Sequence, residues 1–152
     1  MDSVFYTDEG DKINKPNEEI IQKFVEITEI ENRRYLEDDE FNSDLGFRAA
    51  KEAIYDAKIN QEDLDYIIYA SNFGEVDKNG MTNFMPSMSA RLKNKLGIQN
   101  RNCVNYDMIF GCPGWVEAMI LADTLIKAKK AKLILVVGSE TLSRVTDAFD
   151  RN

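Results

Sequence analysis

The sequence predicts an α/β fold: a mainly parallel sheet of βαβ units with covering helices. Two observations carry this. Strand-like and helical segments alternate from residue 64 to residue 138, so the strands are joined by helical stretches rather than tight turns, as parallel pairing requires. The run Leu133 to Val137 is apolar throughout, as expected of a strand covered on both faces. Crossovers between such strands are expected to be right-handed.

Taken in order, residues 1–16 are polar and suggest no clear element. Pro16-Asn17 leads into a helix with Ile20, Ile21, Phe24 and Val25 on one stripe and Glu18 and Glu19 in its first turn, where the helix dipole favours anions. Asp38-Asp39-Glu40 reads as an exposed loop. A second helix is predicted from about Ser43 to Ala57, capped by Ser43 or Asp44, with Leu45, Ala49, Ala53 and Ile54 on one face. Leu64 to Ala70 is a strand, followed by a Gly-, Asp- and Asn-rich loop from Ser71 to about Asn83. Pro86 opens a third helix through Leu96, with Gly97 at C′. Asn102 to Phe110 alternates as a strand through Val104, Tyr106, Met108 and Phe110. Trp115, Ala118, Met119, Ala122, Leu125 and Ile126 keep helical spacing, which predicts a fourth helix from Gly114 to Lys129. Trp115, Met108 and Met119 are expected in the core. No repeat, low-complexity run or linker divides the chain, so residues 1–152 read as one domain. No helical pattern follows the central-looking strand Leu133 to Val137, and the chain reads as truncated.

The 152 residues include 27 acidic and 19 basic side chains, two cysteines and no histidine. Without histidine the chain cannot hold a Ser-His-Asp triad, a Cys-His dyad or a His-ligated metal, and no CxxC pair suggests structural zinc, so no metal is expected. The cysteines read as free thiols of a reducing compartment, and the polar N-terminus lacks the pattern of a signal peptide, so a cytoplasmic protein is expected. No apolar run approaches the ~20 residues that cross a bilayer, and a net charge of −8 repels nucleic acid, so neither membrane nor nucleic acid is an expected partner. The charge is uneven: residues 1–90 carry 21 acidic against 9 basic groups, and residues 91–152 carry 6 against 10. Arg91, Lys93, Lys95 and Arg101, then Lys127, Lys129, Lys130 and Lys132, supply most of the basic excess. They read as solvated helix faces or as a docking surface for an acidic partner.

Phe110-Gly111-Cys112-Pro113-Gly114-Trp115 falls where a strand turns into a helix. Two glycines permit a tight corner, and Pro113 suits the first helical position. Cys112 is thereby expected at a helix N-terminus, where the dipole and free N–H groups favour thiolate and could receive an oxyanion. That is the geometry for acyl transfer through a cysteine; a small side chain packed at a crowded turn is the plainer alternative. Cys103, within a strand, reads as a core thiol. Met81, Met85 and Met88 could line an apolar acyl pocket, with a helix-face core position the alternative for Met88.

Tyr106 to Trp115, Leu135 to Arg144 (Val-Gly-Ser-Glu at its start) and Asp147 to Arg151 together resemble β-ketoacyl-acyl-carrier-protein synthase III, a thiolase-fold condensing enzyme of fatty-acid synthesis. Asn83 to Ser87 resembles the family segment ahead of the third helix, and Thr28 to Tyr35 its early Thr-Gly-Ile-Arg-Glu-Arg stretch. The resemblance implies an N-terminal thiolase-like half whose Cys112 attacks an acyl thioester, from coenzyme A or an acyl carrier protein, and passes the acyl group to a carbanion from malonyl-carrier protein. It implies no cofactor beyond these substrates, and a homodimer paired through the strand around Asn102 to Met108. Met85 would then stand in the partner subunit's acyl pocket, and Arg151 near the coenzyme A nucleotide. The family's catalytic His and Asn lie in a C-terminal half absent from this sequence, so the chain alone is expected not to condense. Glu29 stands where the family has glycine, and the tryptophan and arginine that clamp coenzyme A have no counterpart between Ile20 and Ile27, which leaves room for another donor. Pro113 and Trp115 replace the commoner Ala and Phe. Two further readings stay open: a non-catalytic dimerisation or scaffold half-domain, and acyl transfer to a non-malonyl acceptor.

Overall fold

The computed structural model describes residues 5–7, 9–32 and 34–146. In chain order the elements are α1 (Asn17–Thr28), α2 (Asn42–Asp56), β1 (Tyr66–Ala70), β2 (Glu75–Val76), β3 (Thr82–Asn83), α3 (Met88–Lys95), β4 (Val104–Met108), α4 (Gly114–Lys127) and β5 (Ile134–Gly138). β1, β4 and β5 form a parallel sheet in the order β4-β1-β5, with Tyr66 opposite Val104 and Ile134 and Ala70 opposite Met108 and Gly138. The ladder continues one residue past the strands, where Ser71 N–H donates to Met108 O and Ser139 N–H to Ala70 O.

The period of two along the strands sorts the core into two layers. Ile67, Tyr69, Leu135 and Val137 face α2 and α3, where Ala50, Met88 and Leu92 meet them. Ile68, Ala70, Ile134 and Val136 face α4 through Ala118 and Ala122. The strand covered most completely is therefore β1; β5, which its apolar run marks as central, lies at an edge of the three described strands and alternates between buried and half-buried. On β4 the predicted alternation persists, but Val104 and Phe110 are exposed, because β4 is the other edge.

Helix boundaries shift for identifiable reasons. Phe41, not Ser43 or Asp44, is the N-cap of α2: the Asp44 carboxylate accepts the Phe41 N–H, and Ser43 N–H and Oγ–H both donate to the buried carboxylate of Glu75. The inward face is Gly46, Phe47, Ala50 and Ile54, while Ala49 and Ala53 are exposed. Gly46 sets this rotation, since a Cβ there would overlap the Tyr69 ring, whose hydroxyl donates to Asn42 O at 3.0 Å. α3 begins two residues after Pro86, capped by the Ser87 hydroxyl, which accepts Ala90 N–H, and Gly97 follows its end at φ 72°. α4 stops at Lys127 because Lys129 turns left-handed (φ 57°); Lys129 N–H donates to Ile126 O and Lys130 N–H to Leu125 O, a Schellman closure. The loop after β1 contains an unforeseen β2–β3 hairpin. α1 buries none of its residues, and Glu29 ends it in the left-handed region at φ 56°.

Several carboxylates accept backbone N–H groups rather than pairing with cations. Asp107 receives Met88 and Ser89 N–H at 2.7 and 2.8 Å, Glu62 receives Gln99 and Asn100, and Asp65 receives Lys132 and Leu133. Asp107 and Asp65 thereby hold the starts of α3 and of the segment into β5 to the sheet. Among the described residues no helix is long and apolar enough to cross a membrane.

Candidate active site

The three strands point their C-terminal ends the same way, and Cys112 follows the end of β4. Gly111 takes φ 64°, a conformation glycine adopts without strain, and Gly111 O accepts Gly114 N–H at 3.0 Å across Cys112 and Pro113. Pro113 is the N-cap rather than the first helical residue, with its carbonyl accepting Glu117 N–H, so Cys112 is one position further out, at N′. Gly114, the first helical residue, is buried within 3.8 Å of Ala70 Cβ and Met108 O, measured from where its own Cβ would be.

Cys112 is exposed to solvent. Among the described residues nothing accepts the N–H of Cys112, Trp115 or Val116. An exposed sulfur therefore shares a helix start with three free donors, an arrangement suited to holding an anion or an oxyanion. Cys103 is the opposite case: at 2% exposure it is a core thiol, and burial pushes its pKa up.

Beside this corner the tips of β1 and β5 are tied together. Asn42 Nδ2 donates to Gly74 O and Ser139 O, Ser139 Oγ donates to Asn42 Oδ1 at 2.6 Å, and Glu140 accepts Asn72 N–H at 2.6 Å. Arg144 reaches back to the carbonyls of Glu37, Glu40 and Val76. None of these ties shows as a pattern in the sequence, because each joins residues far apart in the chain.

Met85 lies on the connection from β3 to α3, 78% exposed, with its carbonyl accepting Arg91 Nη2. Asp107 holds the start of α3 to β4, which brings Met85 to the same end of the sheet as Cys112. Met88 is fully buried in the α2–α3 layer, while Met81 is exposed. Arg151 and the stretch Asp147 to Arg151 lie outside the described residues. Trp115 and Met119, expected in the core, are 49% and 43% exposed, because α4 turns only its Ala118–Ala122 stripe to the sheet. The basic groups divide. Lys95 pairs with Asp44, Lys93 donates to Cys103 O, and Lys127 pairs with Asp123. Lys127 to Lys132 lie at the far end of α4, about 20 Å from Cys112 at 1.5 Å per residue. A cleft of about 710 Å³ opens between Phe41, Glu75, Asp77, Asn83, Arg91 and Lys95, and Cys112 is not among its walls.

The family model for 3-oxoacyl-[acyl-carrier-protein] synthase III matches residues 106–152. The chain is 38% identical over 128 residues to β-ketoacyl-[acyl-carrier-protein] synthase III 1 of Vibrio vulnificus, covering 84% of this chain and 38% of that protein. It is 34% identical over 151 residues to β-ketoacyl-[acyl-carrier-protein] synthase III of Fusobacterium nucleatum, covering 99% and 42%. Among solved structures, 3-oxoacyl-[acyl-carrier-protein] synthase III from Aquifex aeolicus superposes with a TM-score of 0.72 at 30% identity, over 86% of this chain and 39% of that one. The synthase III of Thermus thermophilus gives 0.71 at 32%, over 84% and 37%. The chain thus spans about two fifths of the length of the curated relatives it matches.

Proposed function

We propose that this chain, synthase-III-like in sequence and thiolase-like in fold, carries the nucleophile of an acyl-transferring condensing enzyme of fatty-acid synthesis. The observation that carries the reading is Cys112, exposed at the start of α4, where its own N–H and those of Trp115 and Val116 have no acceptor among the described residues. In the proposed reaction the Cys112 thiolate adds to the carbonyl carbon of an acyl thioester, and the oxyanion is received by the Cys112 N–H. The bond from that carbon to the donor sulfur then breaks, the donor leaves as a thiolate and takes a proton from water, and the acyl group stays on Cys112. In the second stage malonyl-carrier protein loses CO2. The released electron pair, held as an enolate, attacks the acyl carbon and expels the Cys112 thiolate.

The enolate needs donors of its own, and the 152 residues contain no histidine to serve as one. This chain alone is therefore proposed to stop at the acyl-enzyme. Its proposed partners are an acyl carrier protein and an acyl thioester of coenzyme A or of the carrier, in the cytoplasm, with no cofactor beyond these. A homodimer is proposed through β4, whose outer edge has no strand beside it among the described residues and exposes Val104. Met85 would reach the partner's acyl pocket, and Arg151 would lie near the coenzyme A nucleotide.

Intact-mass measurement after incubation with short and long acyl-coenzyme A thioesters tests the reading. One acyl group on the wild type and none on Cys112→Ser is the expected result. An unmodified wild type, or an adduct that survives in Cys112→Ser, overturns it; an unmodified chain that still dimerises would favour the scaffold role.

A further inference from the structure

The glycine at the tip of β5 is not required by its backbone. Gly138 is the last residue of a regular strand and does not take a positive φ, unlike Gly97 or Gly111. What excludes a larger residue is Trp115. A Cβ on Gly138 would fall 2.8 Å from Trp115 Cδ1, 3.3 Å from Cγ and 3.4 Å from Trp115 Cβ, so the indole lies against the bare Cα of the strand. Gly114, next to Trp115, is different: its Cβ would meet its nearest neighbours at 3.6–3.8 Å, ordinary contact distances.

The first turn of α4 is thus fitted to the sheet at two points. Gly114 sits over the tips of β1 and β4, and Trp115 over the tip of β5. Trp115 is half exposed, and its indole lies against Gly138. Its own N–H is one of the three free donors, and Cys112 is three residues before it.

We propose that Trp115 and Gly138 are a positioning pair for Cys112: the indole seated on the glycine fixes the first turn of α4, and with it the residue that leads into that turn. The pair touches no reacting atom and acts through the helix it anchors.

The protein supplies two internal reporters. Trp115 is the single tryptophan, so emission follows the indole itself. Cys103, buried, is alkylated only when the fold opens, so its protection certifies each variant. Iodoacetamide alkylation of Cys112 is followed against pH, giving a midpoint and a limiting rate at high pH. Gly138→Ala is expected to shift the emission maximum, to change the limiting rate, and to slow alkylation at pH 7 by about two- to fivefold as the start of α4 is displaced. In a Trp115→Ala background, which removes the atoms that crowd position 138, Gly138→Ala is expected to leave both alkylation rates unchanged. Trp115→Leu alone, which introduces no clash, is expected to alter the rate in the same direction, and it decides the matter if Cys103 becomes reactive in Gly138→Ala.

A moved indole with an unchanged Cys112 rate overturns the proposal, as does a Gly138→Ala effect that persists without the indole. A wild-type Cys112 that takes no acyl group, a separate measurement, would instead refute the nucleophile of the preceding section. Positioning is judged on the alkylation rates alone.

Discussion

Replacing Asp107 by alanine should be among the most damaging single changes outside the apolar core. The carboxylate, on β4, accepts Met88 N–H at 2.7 Å and Ser89 N–H at 2.8 Å, the first two donors of α3. Both residues have zero exposure, so water cannot take over when the carboxylate is removed. A hydrogen bond to a charged group contributes roughly 1.5–3 kcal/mol, and a buried donor left unpaired costs about 1–3 kcal/mol. Two such donors, partly relieved by relaxation of the helix start, put Asp107→Ala at about 2–5 kcal/mol. The Ser87 cap on Ala90 N–H remains and sets the lower side of that range. Urea unfolding followed by far-ultraviolet circular dichroism reads it directly. With a slope of about 1–3 kcal/mol per molar urea for a domain of this size, the midpoint should fall by about 1–3 M without a change in slope. Asp107→Asn, which keeps one acceptor oxygen, should fall between. A loss below about 0.5 kcal/mol in Asp107→Ala would refute the assignment of these bonds as the anchor of α3.

Acidification should destabilise the fold. Backbone N–H groups from Lys132 and Leu133 hold the Asp65 carboxyl below its usual value, those from Met81 and Asn79 do the same for Asp77, and Arg48 does so for Glu40. Groups with folded pKa values depressed from 3.8 and 4.5 stabilise fully above those values and lose that contribution as pH falls through the folded ones, so Tm should hold near pH 6 and drop below about pH 4; a flat Tm from pH 6 to 3 contradicts this. Gly46→Ala should cost about 1–3 kcal/mol, since its methyl displaces the Tyr69 ring and the Tyr69–Asn42 hydrogen bond, and calorimetry on it beside Tyr69→Phe, in which the hydroxyl is gone, should show less than additive losses. Lys129→Gly should raise stability by roughly 0.5–1 kcal/mol by relieving a left-handed lysine in the Schellman closure, measurable as a rise in Tm.

The elements with strong local signals are legible in the sequence. The order of strands and helices, the capping glycine after α3 and the burial of Cys103 and Met88 all follow from periodicity and turn chemistry. What escapes is decided by tertiary partners. The α2 cap moves to Phe41 because Glu75, more than thirty residues on, takes the Ser43 N–H, and the inward face rotates because Gly46 must clear Tyr69. Trp115 and Met119 have the spacing of core residues, and spacing cannot tell which side of an all-round apolar helix meets the sheet. At the candidate site, Cys112 is visible from its flanking glycines and proline. Its one-residue offset from the helix start, the Trp115 seat on Gly138 and the Asn42 knot have no local signature.

A sheet whose strands all run one way gives the molecule a front and a back. Cys112, the free donors and the Met85 loop share the front, while Lys129, Lys130 and Lys132 crown the back, about 20 Å behind. Any molecule that reaches Cys112 must approach from the front, because the packed interior bars a route through the middle. Contacts with such a molecule therefore fall to residues around the front rim. Lys129, Lys130 and Lys132 lie outside that rim, beyond the other end of α4.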